Sequence, residues 1–387
     1  MKVVHLCLGC FYPDNYTYQE NMLPKYHKKM GLDVEVIASL VTFDKNGKET
    51  LMEPVEPYLN EYGIKVTRLN YKSNNKIHRK LKMYKGTYEA LSKTKADILF
   101  IHGCQFWDMK YVVKYVKKNP NCKVYVDNHA DFSNSGKNFI SKNILHKILW
   151  KHTAHIIEPY TTKFYGVLPA RVEWLKNMYK LPEKKCELLV MGADDEMIEK
   201  KCNKENEISV KKKIGVNDKD FVIVTGGKID PAKLQTLELM KIVNKIGKDK
   251  VKLVIFGSID KRIKEKFDDL CSENIKYIGW ANAEESYKYF NIADLVVFPG
   301  RHSVYWEQVA AIGKPMVCKL WEGTTHVNIN NNVIFVKEDK DLENVLKNLI
   351  FNKEKFNKLK QNASSIKRKM FLYSEISKKS IGMKNDD

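Results

Sequence analysis

The sequence predicts an α/β protein made of two successive doubly wound parallel sheets. Three observations carry this. Apolar runs of strand length alternate with segments of helical period along the whole chain. Many runs end in Gly or a polar cluster, as buried parallel strands do where they feed a loop. The alternation breaks over residues 196–218, where EMIEKKCNKENEISVKKKIG is charged and poor in apolar residues, and then restarts. A length of 387 residues suits two or three domains.

In the first half, Lys2–Leu8 reads as a strand, followed by a loop to Asn15 and a helix over Gln19–Met30 that Gly31 ends. Strands are expected at Val34–Ala38, Ile64–Leu69, Asp97–His102 and Lys123–Asp127, with further candidates at Ala154–Ile157 and Glu187–Val190. Residues 76–93 read as one basic helical segment, and helices are expected at Ile140–Trp150 and Ala170–Tyr179. In the second half the strands are Phe221–Thr225, Lys252–Phe256, Ile275–Ile278, Met316–Cys318 and Val333–Val336. Helices fall at Gln235–Ile246, Lys261–Leu270 and Glu284–Ile292 and from Leu342 onward, and residues 354–387 form a basic helical tail.

The most informative stretch is ADLVVFPGRHSVYWEQVAAIGKPMV, residues 293–317. A buried strand breaks at Pro299-Gly300, a polar loop Arg301-His302-Ser303 follows, and a helix over Val304–Ala311 stops at Gly313. Open α/β sheets bind ligands at such strand ends. The helix start is expected to offer Ser303 as a cap and free backbone N–H groups to a phosphate.

Composition narrows the classes. Hydrophobic residues at 43% and charged residues at 29% suit a globular protein, and no apolar stretch is long enough to span a bilayer. The N-terminus MKVVHLCLGCF reads as a first strand rather than a signal peptide. The formal net charge of +20 implies attraction to an anionic partner: nucleic acid, a membrane surface or a phosphorylated substrate. The eight cysteines are expected to be reduced, cytosolic thiols. Cys7 and Cys10 form a C-x-x-C without the second pair a zinc site needs, so a structural role is favoured and a redox role stays open.

The order of motifs adds a resemblance. TGGKIDPAKLQT, KLVIFG, IKYIGW, ADLVVFPG and the helix ending IGKPMV resemble the C-terminal half of the retaining nucleotide-sugar glycosyltransferases of family 4. FYPDNYTYQENMLPKYHKKMGLDVEVIAS, VDNHADF, LLVMGADDE and RKMFLYSEISKKSIG resemble, more faintly, that family's opening loop, its histidine loop, its domain connection and its C-terminal helix. The resemblance implies the GT-B fold, two Rossmann-like domains facing across a cleft that holds the ligand. The division expected is residues 1–200 on the acceptor side, a connection over 201–218, a nucleotide-sugar domain over 219–365, and a C-terminal helix over 366–387 crossing back.

It also implies site residues. Lys228 and Lys233, after Gly227, match the family's pair of cations for the donor diphosphate, where Arg is usual first. The second acid of the family's motif falls on Gln308, with Glu307 beside it, for the ribose. The first falls near Gly300 and is absent, and Arg301 and His302 occupy its place. His302, Ser303 and Val304 complete the donor side. His129 matches the family's sugar-contacting histidine, so His129, Lys233 and Glu307 are the expected catalytic residues. Asn15, Tyr16, His102 and Asp127 are expected on the acceptor or sugar side, with Tyr18 near them; for His102 a structural strand-end role stays open.

The resulting expectation is a cytosolic glycosyltransferase that moves a sugar from a nucleotide-diphosphate donor to a hydroxyl acceptor with retention. No metal and no cofactor are expected. The acceptor is expected to be a glycan or a lipid-linked molecule in the synthesis of cell-surface polysaccharide or glycoconjugate. Ile140, Ile144 and Ile148 share a helix face, with Lys142, Lys147 and Lys151 elsewhere around it. That stripe either faces the core or lets the enzyme rest weakly on the anionic inner face of a membrane. The alternatives are a nucleotide-sugar 2-epimerase on the same fold and a basic nucleic-acid-binding protein, although no nucleic-acid recognition module is visible.

Overall fold

The structure, a computed structural model, describes residues 1–44, 47–135, 138–231, 234–247 and 251–383. It divides into two units: Met1–Met191 together with the segment from Tyr373 onward, and Gly192–Leu372.

The first unit holds strands β1 (Lys2–Cys7), β2 (Asp33–Ser39), β3 (Val41–Phe43), β4 (Glu49–Leu51), β5 (Tyr58–Leu59), β6 (Lys65–Leu69), β7 (Ile98–His102), β8 (Lys123–Asn128), β9 (Thr161–Gly166) and β10 (Cys186–Leu188). Eight form one sheet in the order β10-β9-β8-β7-β1-β2-β6-β5. Its pairs are parallel except β5 with β6. β3 and β4 make a separate antiparallel pair. The chain order reverses between β1 and β7, so the loops after β1, β7 and β8 open at a topological switch point. Val4, Leu6, Leu99, Ile101, Val124, Val126 and Phe164 are fully buried, as expected for strands covered on both faces.

Two expectations are corrected here. Ala154–Ile157 is not a strand: it ends the helix Lys151–Ile157, and the strand is Thr161–Gly166. The β-branched and aromatic run TTKFY, just after Pro159, is the better strand former. The basic segment 76–93 is not one helix but two, Lys76–Lys80 and Thr87–Thr94, separated by Lys82 and Gly86 at positive φ (52° and 74°).

The second unit holds β11 (Phe221–Gly226), β12 (Val251–Phe256), β13 (Ile275–Tyr277), β14 (Leu295–Phe298), β15 (Met316–Lys319) and β16 (Val333–Val336). They form one parallel sheet ordered β13-β12-β11-β14-β15-β16, and the order reverses between β11 and β14. Asp294 ties the register across that switch, its carboxylate accepting from Val222 N–H at 2.9 Å.

The boundary falls at residues 191/192 instead of within the expected connection 201–218. The charged stretch folds as helices of the second unit, Asp195–Lys201 and Lys204–Ile214. Asp194 and Asn203 cap their N-termini and Gly215 closes the second, so capping and terminal charge supply what apolar content does not. The C-terminal helix is shorter than expected, Tyr373–Ser380, and packs on the helix Gln19–Lys29 of the first unit, with the Tyr26 and Tyr373 rings 6.1 Å apart.

Candidate functional site

In the second unit a pocket lies at the carboxyl ends of β11, β12 and β14, lined by Gly226, Gly227, Lys228, Phe256, Arg301 and Ser303 among others. Its floor is backbone. Gly227 N–H donates to Phe256 O at 3.0 Å, and a Cβ on Gly257 would stand 1.9 Å from Gly227 O, so no side chain fits there. This close approach keeps the strand end free of side chains, and the Gly227 and Gly257 amides are spent on the carbonyls of Phe256 and Gly279. Lys228 is exposed, 3.9 Å from Asp230. Arg301 is exposed over the Trp321 ring, whose indole N–H holds Gly300 O at 3.1 Å. Lys233 lies outside the described residues.

The helix beside the pocket spans Tyr305–Ile312, with Val304 as its exposed N-cap residue. The expected Ser303 side-chain cap is not formed: Ser303 contributes its carbonyl, which accepts from Trp306 N–H at 3.0 Å. Its hydroxyl is therefore not committed to this helix. Glu307 is fully buried and accepts from His302 Nε2 at 2.9 Å and His326 Nε2 at 2.8 Å. Burial pushes its carboxyl up, but the two imidazoles outweigh this and hold it at about 2. Gln308 is also buried and donates to Ser286 Oγ at 3.0 Å. The donor atoms of His302, Glu307 and His326 lie within 4.8 Å of one another. They are of the types a transition metal takes, and here hydrogen bonds join them. Of the expected donor-side residues, Gly227, Lys228 and Ser303 thus line the pocket, while Glu307 and Gln308 are engaged with side chains of their own unit.

In the first unit the loops at the switch point gather a second set. His129 follows β8, and its Nε2 stands 3.6 Å from Asp127 Oδ2 and 3.8 Å from Glu20 Oε1. Burial pulls the imidazole down, but the Glu20 and Asp127 carboxylates more than offset this and its pKa is raised. Asp127 and His102 are fully buried and hydrogen-bonded, His102 Nδ1 to Asp127 Oδ2 at 2.8 Å. Asp127 Oδ1 accepts from Gly103 N–H at 3.1 Å. His129, with about a third of its side chain exposed, is the member of this group that can meet a ligand. Asn15 is exposed at φ 63°, its N–H held by Glu61 at 3.1 Å. Tyr16 packs against the tilted rings of Tyr18 and Phe43. Glu20, His5 and His27 were not expected at this site. Glu20 follows the opening loop directly, which is the one signal that pointed there; His5 and His27 read as ordinary strand and helix residues.

All eight cysteines, Cys7 and Cys10 included, are unpaired. Among the described residues no helix is long and apolar enough to cross a membrane.

With this geometry in view, comparison with known proteins defines the class. Residues 206–366, which contain β11 to β16, match the model of the family described as glycosyl transferases group 1. A glycosyltransferase from Rickettsia africae is similar over 98% of this chain and 96% of its own, at 16% identity and a TM-score of 0.66. The Anabaena HepE protein in complex with UDP is similar over 98% of both chains, at 16% identity and a TM-score of 0.68. A UDP-GlcNAc 2-epimerase from Neisseria meningitidis, bound to UDP-GlcNAc, is similar over 98% of both chains, at 13% identity and a TM-score of 0.61. No curated protein matches the chain in sequence. The protein is a glycosyltransferase with the GT-B fold.

Proposed function

We propose that the protein transfers a sugar from a nucleotide-diphosphate donor to a hydroxyl acceptor with retention of configuration. The observation that carries this is the second unit's pocket, where a glycine-floored strand end meets Lys228, Arg301 and Ser303. Developing negative charge on a leaving diphosphate is what preorganised cations and backbone amides stabilise. Lys228 and Lys233 take the diphosphate, assisted by Ser303 and the amides at the helix start beside Val304. His302, held by the buried Glu307, serves the ribose side. His129 contacts the transferred sugar, with the Asp127 and Glu20 carboxylates 3.6 and 3.8 Å from its Nε2, while Asn15 and Tyr16 face the acceptor. With protein cations on the diphosphate, no metal is required. The departing phosphate accepts the acceptor's proton in a front-face displacement.

The acceptor we favour is a glycan or lipid-linked molecule of a cell-surface polymer, met at the anionic inner face of a membrane. Phe139, Ile140, Ile144 and Ile148 support that setting, being 75%, 55%, 44% and 60% exposed. They are therefore not core residues, and Lys142 and Lys147 flank them in sequence. Similarity to a 2-epimerase makes epimerisation the second reading. Nucleic-acid binding is third and rests on charge alone.

A thermal-shift screen of nucleoside diphosphates and their sugars tests the donor. At a ligand concentration about 100 times Kd, stabilisation of about 2.7 kcal/mol is expected. No shift with any nucleotide, beside a salt-sensitive shift with random DNA, would contradict the reading.

A further inference from the structure

Asp127 begins a hydrogen-bonded line that runs through the first unit to its C-terminal helix. From His102 Nδ1 on Asp127 it continues as His102 Nε2 to His5 Nδ1 at 3.0 Å and His5 Nε2 to His27 Nδ1 at 2.9 Å. His27 Nε2 then meets Ser377 O at 3.0 Å and Ser380 Oγ at 3.1 Å. All three imidazoles are fully buried, and adjacent rings stack with centroids 5.1 and 5.2 Å apart.

Proton counting constrains this line. Both ends are acceptors: a carboxylate at one, a carbonyl at the other. Ser377 O can only accept and lies 3.0 Å from His27 Nε2, so the link to it needs a proton on that nitrogen, while the Ser380 hydroxyl can donate to the same carbonyl at 2.8 Å. Four links therefore need four protons, all supplied by three imidazoles, and three neutral imidazoles carry only three. With three protons, one pair of facing nitrogens, or one end, is left without a hydrogen bond in a dry interior, which is unfavourable. With four, every link is made and the cation offsets the buried charge of Asp127.

We infer that His102, His5 and His27 together hold one extra proton and act as positioning residues, fixing Asp127 and through it His129 from a base anchored on the C-terminal helix. Its catalytic consequence rests on the reading of His129 as the sugar contact; the protonation does not. The groups facing His102 are Asp127 from β8, His5 and Cys7 from β1, and Glu20 from the helix Gln19–Lys29. Burial pulls His102 down, yet the Asp127 charge carries it up to about 9. Burial lowers His5, and takes His27 down to about 4. The proton therefore resides on His102.

The test is a long-range proton–nitrogen spectrum of the full chain labelled with ¹⁵N-histidine, at about pH 7.5, above the ordinary histidine range. His102 should carry protons on both nitrogens, and His5 and His27 on Nε2 alone. Three neutral rings would overturn the proposal. No substrate is involved, so the result stands apart from the fate of the glycosyl-transfer reading. His5→Phe, which cuts the line beside Phe100, should abolish the doubly protonated signal. It should also lower kcat at least about tenfold with little change in the donor KM, the pattern of a lost orienting partner. Loss of the signal with unchanged kcat would overturn the positioning role. His27→Gln, a milder cut at the other end, carries the same readouts if His5→Phe does not fold.

Discussion

At the residue scale, the pocket of the second unit depends on cations of unequal standing. Lys228 has 66% of its side chain exposed, so it reaches a ligand without first breaking a buried interaction. Lys228→Ala should lower kcat/KM with the correct donor by roughly ten- to a hundredfold, and Lys233→Ala by roughly a hundred- to a thousandfold. Steady-state kinetics of both variants checks this, and normal turnover in both would sink the diphosphate assignment. In the first unit the titrating residue is His102. Its pKa in the fold, about 9, lies above the ordinary histidine value of about 6.5. The folded chain thus keeps a proton that the unfolded chain gives up first. The stability from the Asp127 pair is full below about pH 6.5 and is lost as pH rises through about 9. Urea unfolding at about pH 6 and pH 9.5 should show this fall, and His102→Gln should flatten it. His129 was legible because it follows a strand of five residues, KVYVD, within a motif. The His5–His27–His102 line was not, because its members are separated by 22 and 97 residues and meet only through the pairing of β1 with β7 and the packing of the helix Gln19–Lys29 on β1.

At the element scale, the segment from Phe139 shows where periodicity stops being informative. An isoleucine stripe looks the same whether it faces a core or a membrane. Here Ile140–Trp150 is wound wide, with Lys151 N–H reaching back five residues to His146 O, and the stripe is exposed. Such windings concentrate at functional sites. Sedimentation with anionic vesicles at low salt should pull the protein down. Replacing Lys142, Lys147 and Lys151 with Gln should weaken this by roughly 1 kcal/mol for each lysine near the surface. Equal failure to bind anionic and neutral vesicles would leave the stripe without this role. Elsewhere elements were legible where glycine or proline punctuated them, as at Gly31 and Gly313. Ala154–Ile157 was not legible as helix because its short apolar run suits helix and strand alike.

At the scale of the whole molecule, alternation and glycine-ended strands made both sheets legible, while the charged stretch expected to connect the units lies inside the second one. The boundary itself was hidden because capped, charged helices look like a linker by composition. At the candidate site, the strand ends supplied Gly227, Lys228 and Ser303. The inward turn of Glu307 was not legible, since His326 meets it from 19 residues away. Transfer from a nucleotide sugar is assigned to protein cations alone. It is tested most directly by following release of nucleoside diphosphate, with chelator present, with and without a glycan or lipid-linked acceptor, and by reading the product's anomeric configuration by NMR. Acceptor-dependent release matched by a retained glycosidic bond is expected. Release without acceptor alongside an epimerised sugar, an inverted linkage, or activity abolished by chelator and restored by a divalent metal would contradict it.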